Sequence, residues 1–335
     1  MERERSQRCR GLSPARTAVA VLNQDGERFL DACFQALAGQ EAPGGRELVL
    51  VDNGSTDGSQ DRLAAAFPEV RVIRLGANLG YAAGYNRAFE MLDHEYVVLL
   101  NNDTRVRPGW LQALVAAADA DPDVAAVTAK LVFADRPNII QSTGTLLLSD
   151  GGGGDRGFGE EDRGQYRDRE EVFGFNGGSA LLRRSALDDV GGFDQRFFSY
   201  YEDTDLSWRM RLRGWRIIYE PQAVVEHVHA GTSGEWSESF MFHVDRNRML
   251  MMLKNGSLGF VASAFRKVGV RAAGGPGRER SPRSGRHYGR VLGSMVANFP
   301  AVLLNRARSR GRMTVSDAEI ERWVYPREKW DAASG

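Results

Sequence analysis

Tyr96-Val-Val-Leu-Leu-Asn-Asn-Asp-Thr-Arg-Val-Arg-Pro-Gly-Trp110 is the stretch whose reading decides the fold. Its apolar run, Val97 to Leu100, reads as a strand buried on both faces. The run stops at Asn101-Asn102-Asp103, and Pro108 stands where a helix would begin. Short polar side chains at the carboxyl end of a buried parallel strand lie where open α/β sheets bind their ligands. A carboxylate there can hold a hard divalent cation, and the cation a diphosphate. The same residues would also serve as plain turn formers.

Upstream, Thr17 to Asn23, Glu47 to Asp52 and Val70 to Leu75 are further strand candidates. Between them lie helix-patterned segments, one with the apolar face Phe29, Leu30, Cys33, Phe34 and Leu37. Gly76 to Gly84 opens another, reaching about Leu92. Such βα units predict a parallel sheet with right-handed crossovers. The glycines at 76, 80 and 84 do not fit G-x-G-x-x-G, which argues against NAD or FAD, but they allow close backbone approach to a ligand.

Downstream come a helix from Pro108 to Asp119 and a short strand from Val124 to Thr128. Residues 133–172 are rich in glycine and charge, with Gly151 to Gly154 in a row, and read as a mobile lid or a peripheral loop. Regular structure resumes at Phe173 to Leu182. The acidic run Glu202-Asp203-Thr204-Asp205 leads a helix to about Arg213. Two short strands follow, Trp215 to Tyr219 and Val224 to Val228, with His227 and His229 at the end of the second. Phe240 to Leu253 is helical, 271–290 a polar linker, and Val291 to Leu304 amphipathic, followed by Arg306, Arg308, Arg310 and Arg312. That basic end suits either an anionic membrane surface or a helix packed back on the domain with a solvated rim.

The chain has 335 residues, 42% hydrophobic and 26% charged, as expected of a soluble globular protein. Lys+Arg and Asp+Glu are equal at 44 each, so charge gives no hint of a nucleic-acid partner. Cys9 and Cys33 form no metal or redox spacing, which fits a reducing compartment. The start is basic without an apolar core, unlike a signal peptide, and no run approaches the roughly 20 apolar residues of a membrane span.

Four polar clusters therefore carry the chemistry: Asp52-Asn53-Gly54-Ser55, Asn101-Asn102-Asp103, Glu202 to Asp205, and His227-Val-His229. In one doubly wound sheet the first two share the carboxyl edge. Asp52 can then accept hydrogen bonds from a base or ribose, and Asp103 can hold a metal on a diphosphate. Helix capping by Asp203, with Asp205 in the first turn, would by itself explain the acidic run.

In order along the chain, Val19 to Asn23, Leu50 to Gly58, Asn78 to Asn86, Leu99 to Asp103, Asn176 to Ala180, Gly192 to Asp194, Tyr201 to Leu206, Pro221 to His227 and Arg246 to Arg248 resemble the inverting glycosyltransferases of family 2. The resemblance covers about Thr17 to Asn255 and implies the GT-A fold: α/β, Rossmann-like, a mostly parallel sheet flanked by helices, here with a helical C-terminal extension. After a basic, polar tail expected to be disordered (1–16), it implies a GT-A domain (17–238) with a nucleotide-sugar half (17–130) and an acceptor half (131–238). Beyond it lie a helical segment (239–270), a flexible linker (271–290) and an amphipathic basic segment (291–335).

The resemblance also assigns roles. Asn23, Asp52, Asn53, Gly80, Asn101, Asn102 and Asp103 would bind the nucleotide diphosphate sugar. Asp103 would hold Mg2+ or Mn2+ with His227, His229 being a second candidate. Asp203 would be the catalytic base, supported by Glu202, with Asp205 and Arg209 structural. Asn101 stands where the family's metal motif begins with Asp, a departure shared with the rhamnosyltransferase-like branch. The implied reaction is metal-dependent transfer of rhamnose from dTDP-rhamnose to a lipid-linked or growing cell-surface glycan. Its expected place is the cytoplasm, peripheral on the inner face of the cell membrane. A non-catalytic scaffold of the same fold in a polysaccharide assembly complex is the alternative. A nucleotidyltransferase would need a glycine-rich, basic triphosphate loop after the first strand, and Asn23-Gln-Asp-Gly26 is not one.

Overall fold

The computed structural model describes residues 15–228, 237–272 and 285–334. The first half alternates as the sequence suggests: β1 (Thr17–Asn23), α1 (Glu27–Ala38), β2 (Arg46–Asp52), α2 (Ser59–Ala66), β3 (Arg71–Arg74), α3 (Gly80–Met91), β4 (Tyr96–Asn101). Then come β5 (Thr104–Val106), α4 (Trp110–Asp119), β6 (Val124–Phe133), β7 (Ile140–Ser142), β8 (Thr145–Leu148), β9 (Gly153–Asp155), β10 (Glu170–Glu171) and β11 (Ser179–Arg183). The remainder is α5 (Arg184–Val190), α6 (Glu202–Leu212), β12 (Arg216–His227), α7 (Glu238–Asn255), α8 (Leu258–Ala272), α9 (Gly285–Gly311), α10 (Asp317–Glu321), β13 (Val324–Tyr325) and α11 (Arg327–Ser334).

The main sheet runs β10-β12-β6-β11-β4-β1-β2-β3, with β5 on β12 and β7 on β6. From β3 to β4 it is parallel. Alternate residues face opposite layers. Val19, Val21, Leu50, Val98 and Leu100 pack with α1 and α4, whereas Ala18, Ala20, Val49, Val51 and Leu99 pack with α3 and α5. Both faces are covered, so each strand reads as an unbroken apolar run. Burying one such Val or Leu side chain contributes about 1.5–3 kcal/mol. The register sets Asn23 beside Asp52 and Leu22 beside Asn101, so three polar strand ends share one edge.

Five features depart from the sequence reading. β11 lies antiparallel between β4 and β6, so the sheet is mixed. The two short strands at 215–228 are one strand, β12, with a register shift between Glu220 and Val224. Pro221 lies within that shift, where its lack of an N–H breaks no ladder bond. Residues 133–172 are not one loop: they supply β7 to β10, and β13 returns from the chain's end to pair with β8. Finally, α9 begins at Gly285, inside the expected linker, while 273–284 lie outside the described residues. Arg16, placed in the tail by the sequence, is anchored to Glu95 and Asp119, so order begins before β1.

A third apolar cluster joins the C-terminal helices to α6. It contains Phe197, Trp208, Leu250, Met251, Phe260 and Met295. Among the described residues no helix is long and apolar enough to cross a membrane.

Candidate active site

The strand ends at the shared edge bind mostly each other. Asn102 Nδ2 donates to Asn23 Oδ1 at 2.7 Å, and Asn23 Nδ2 donates to Ser59 Oγ at 2.9 Å. A Cβ on Gly26 would stand 2.1 Å from Asn102 Nδ2, so this glycine leaves room for the asparagine pair. Asn53 is also spent internally: Oδ1 accepts from Leu79 N at 2.9 Å, and Nδ2 donates to Gly80 O at 3.2 Å. Asn23, Asn53 and Asn102 thus shape the edge. Asp52 is different, because the hydrogen bond its carboxylate takes is from Ser55 N at 3.1 Å, leaving capacity toward a ligand. Gly80, at φ 78°, lets the start of α3 meet Phe198, whose ring a Cβ would approach to 2.5 Å.

The pairing of β12 with β5 sets His227 opposite Thr104 and so brings it to Asp103. Asp103 is buried, with Oδ1 3.1 Å from His227 Nε2. His227 Nδ1 lies 2.8 Å from Gln141 Oε1, which can only accept, so Nδ1 carries a proton. Nε2 then faces the Asp103 carboxylate. A ring nitrogen and a carboxylate oxygen at this spacing could ligate one cation. Asn101 Nδ2 is 3.4 Å from the same Nε2. Among the described residues no group of three or more His, Cys, Asp or Glu could enclose a metal ion. The donor set therefore fits a cation held by one carboxylate and a histidine, with the rest of its shell supplied by phosphate and water. His229 lies outside the described residues. A cleft of about 680 Å³ opens beside Asp103, lined by Arg28, Arg105, Phe133 and Arg136 among others.

One turn connects this edge to the acidic helix. Gly178 O accepts from Asn101 N at 3.0 Å, and Gly177 N donates to Asp203 Oδ2 at 3.0 Å. Tyr81 Oη donates to Gly177 O at 2.6 Å, and a Cβ on Gly177 would come within 2.7 Å of that hydroxyl. Asn176 Nδ2 ties the turn to Asp155 Oδ1 at 2.7 Å.

Glu202 opens α6 and Asp203 is its second residue, so Asp203 is not the N-cap that the sequence suggested. Tyr201 holds that position at φ 68°, after Phe198 and Tyr200, also left-handed. Three non-glycine residues in that region store strain immediately before the acidic pair. Asp203 is half-buried, and Oδ1 accepts from Thr204 N at 2.6 Å. Burial pushes its carboxyl above the ordinary aspartate range, opposed by the hydrogen bonds from Gly177 and Thr204. Glu202 is raised well above the ordinary glutamate range, first by burial and then by the Asp203 charge. Its Oε2 is buried without a hydrogen-bond partner. The charge effect between the two carboxyls falls on Glu202. Asp205 is spent on Arg209 at 2.9 Å, Lys254 at 2.7 Å and Asn255 at 2.8 Å.

Residues 18–191 match the family model described as Glycosyl transferase family 2. The chain belongs to that family. Among its relatives, this glycosyltransferase is 32% identical over 240 residues to the N-acetylglucosaminyl-diphospho-decaprenol L-rhamnosyltransferase of Mycobacterium tuberculosis, covering 64% of this chain and 76% of the relative. It is 28% identical over 193 residues to the pre-mycofactocin glycosyltransferase of the same organism, covering 57% of this chain and 39% of that one.

Solved structures place the glycosyltransferase in the GT-A fold. GalNAc-T7 with UDP, GalNAc and Mn2+ superposes with a TM-score of 0.63 at 13% identity, over 95% of this chain and 57% of that chain. S. aureus TarS 1-349 gives 0.53 at 16% identity, over 92% and 89%. The sequence had not singled out Gln141, Tyr81 or Gly26 of this enzyme. Gln141 lay in a stretch read as loop. Gly177-Gly178 carried a visible signal, a glycine pair ahead of a strand where backbone must pass close to other groups.

Proposed function

We propose that this glycosyltransferase is an inverting rhamnosyltransferase that uses dTDP-rhamnose and a polyprenyl diphosphate-linked N-acetylglucosamine acceptor. The sugar and acceptor follow the name of the M. tuberculosis relative. The observation that carries the chemistry is the Asn176–Gly178 turn, which holds Asp203 on one side and the Asn101–Asp103 edge on the other.

In this reading Asp203 accepts the proton of the acceptor hydroxyl. The hydroxyl oxygen bonds to the anomeric carbon from the face opposite the diphosphate. The bond from that carbon to the phosphate oxygen breaks, and its electron pair leaves with the nucleoside diphosphate. Inversion follows from the single displacement. The raised position of the Asp203 carboxyl makes it a better base than an exposed aspartate. Asp103 and His227 would hold Mg2+ or Mn2+, which when bound neutralises charge on the leaving diphosphate. Asp52 would receive the base or ribose. An acceptor on a lipid carrier places the reaction at a membrane surface.

The test is nucleotide release from a panel of nucleotide sugars, with Mn2+ or Mg2+ and then with EDTA, for wild type and Asp103→Ala. Slow metal-dependent hydrolysis of dTDP-rhamnose, lost in the variant, is expected. Release from another donor instead would replace rhamnose. Folded protein that neither binds nor cleaves any donor would turn the reading to a scaffold.

A further inference from the structure

Helix α9 carries two apolar lines. Val291, Met295 and Val302 are buried in the cluster that joins α9 to α6 and α7. A second line, Tyr288, Leu292, Val296, Phe299 and Leu303, runs alongside at helical spacing and is 48–67% exposed. A packed surface helix would carry polar residues there. This one has instead an uncharged run from Val291 to Asn305, bounded by Arg286 and Arg290 before it and by Arg306, Arg308 and Arg310 after it. The helix contains no Asp or Glu. Arg306 and Arg310 turn inward, to the carbonyls of Leu253, Gly256 and Asn255, and Arg290 stacks on the Phe242 ring of α7, 5.0 Å from its centre, whereas Arg286 and Arg308 are exposed.

We propose that the exposed apolar line of α9 docks this enzyme on an anionic lipid bilayer, with Arg286 and Arg308 flanking it near the headgroups. An in-plane helix that buries apolar side chains at the acyl boundary and carries arginine but no acid is complementary to anionic lipid. A second copy of the chain is a poorer occupant, because pairing two such faces sets arginines against arginines with no acid in either helix. Residues 273–284, next to the helix in sequence, contain no large apolar side chain that would cover the line.

The face also bears on the site. α9 packs on α7, and α7 holds the strained turn before the acidic pair: Asn247 Nδ2 donates to the carbonyls of Phe197, Ser199 and Tyr200, each at 2.8 Å. The His243 ring stacks on Phe198 with centroids 5.4 Å apart. A bilayer against α9 therefore lies beside the element that supports the acceptor side. The proposal deepens the lipid-linked acceptor reading and can fail independently of it.

The experiment is sedimentation of the full chain with phosphatidylcholine vesicles, with and without phosphatidylglycerol, at low and high salt. The wild type is expected to pellet with the anionic vesicles and to be released by salt. The double variant Leu292→Glu/Val296→Glu should lose roughly tenfold or more of that binding. Arg286→Ala/Arg308→Ala should weaken it several-fold, about as two lost headgroup contacts predict. Both variants should keep the wild-type melting temperature and donor hydrolysis. Wild type remaining in the supernatant, or the Glu variant pelleting undiminished, overturns the proposal. A wild-type dimer that the Glu variant makes monomeric, without vesicle binding, overturns it in favour of self-association. Vesicle binding by folded protein that neither binds nor cleaves any donor upholds the docking face and turns the reading of the site to a scaffold instead.

Discussion

The strand-end edge and the acidic helix start solve opposite physical problems. At the edge, Asn23 and Asn102 bond to each other and Asn53 to the backbone at the start of α3, so the edge is rigid before any ligand arrives. At the helix start, Glu202 and Asp203 sit together after a strained turn, and one Glu202 oxygen has no partner among the described residues. Saturated groups hold shape; desolvated, under-bonded groups hold reactivity. The residues with spare valence are the ones to test.

The largest effect is expected at Asp203. Asp203→Asn keeps the size and removes the base, so turnover should fall by roughly three orders of magnitude. Folding and donor affinity should persist, since the substitution spares the donor edge. A loss below about tenfold would place the base elsewhere and erase the distinction between the two sides.

Next comes Gln141, whose Oε1 lies 2.8 Å from His227 Nδ1 beside the strand-end edge. Gln141→Leu frees that nitrogen, and the apparent affinity for Mn2+ in donor hydrolysis should drop about 10–100-fold. An unchanged Mn2+ titration would mean that His227 does not need its tautomer set, and so does not act on a metal.

These residues also mark how far the sequence was legible. The parallel half was readable because buried strands leave apolar runs, and the polar ends of β1, β2 and β4 fall at the same register. Asp103, Asp203 and His227 stood out as charged or titratable groups at strand or helix ends. Gln141 did not, because its role comes from the packing of β7 on β6, a pairing that no local pattern announces. The mostly parallel sheet was legible, but not the antiparallel place of β11 in it: Ala180 to Leu182 are as apolar in an antiparallel strand as in a parallel one. The N-cap at Tyr201 was missed because a left-handed tyrosine is held by tertiary contacts against its local preference.

A smaller effect is expected where the chain's end reaches the cleft. Trp330 Nε1 donates to Asp155 O at 3.0 Å, and Asp155 Oδ1 accepts from Asn176, whose turn holds Asp203. Trp330→Ala should lower kcat by roughly threefold to tenfold through misplacement of the turn, with little change in donor KM. Equal changes in both constants would mean that the tail supports the fold generally and not the acceptor side.

The smallest and most discriminating change is Glu202→Gln. Burial raises the folded-state carboxyl far above its unfolded value, so wild-type stability is fully present below the ordinary glutamate pKa of about 4.3. It is lost as pH rises toward the raised folded value, because the unfolded chain releases the proton first. Glutamine has no proton to release. The variant should therefore match wild type in acid and exceed its melting temperature by a few degrees, roughly, at neutral pH. The Asp203 charge raises Glu202 and no Glu202 charge acts in return on Asp203, so the acid limb of kcat against pH should stay where it is in wild type. A displaced limb would show that the two carboxyls share their proton, making the acceptor side one coupled acid–base unit.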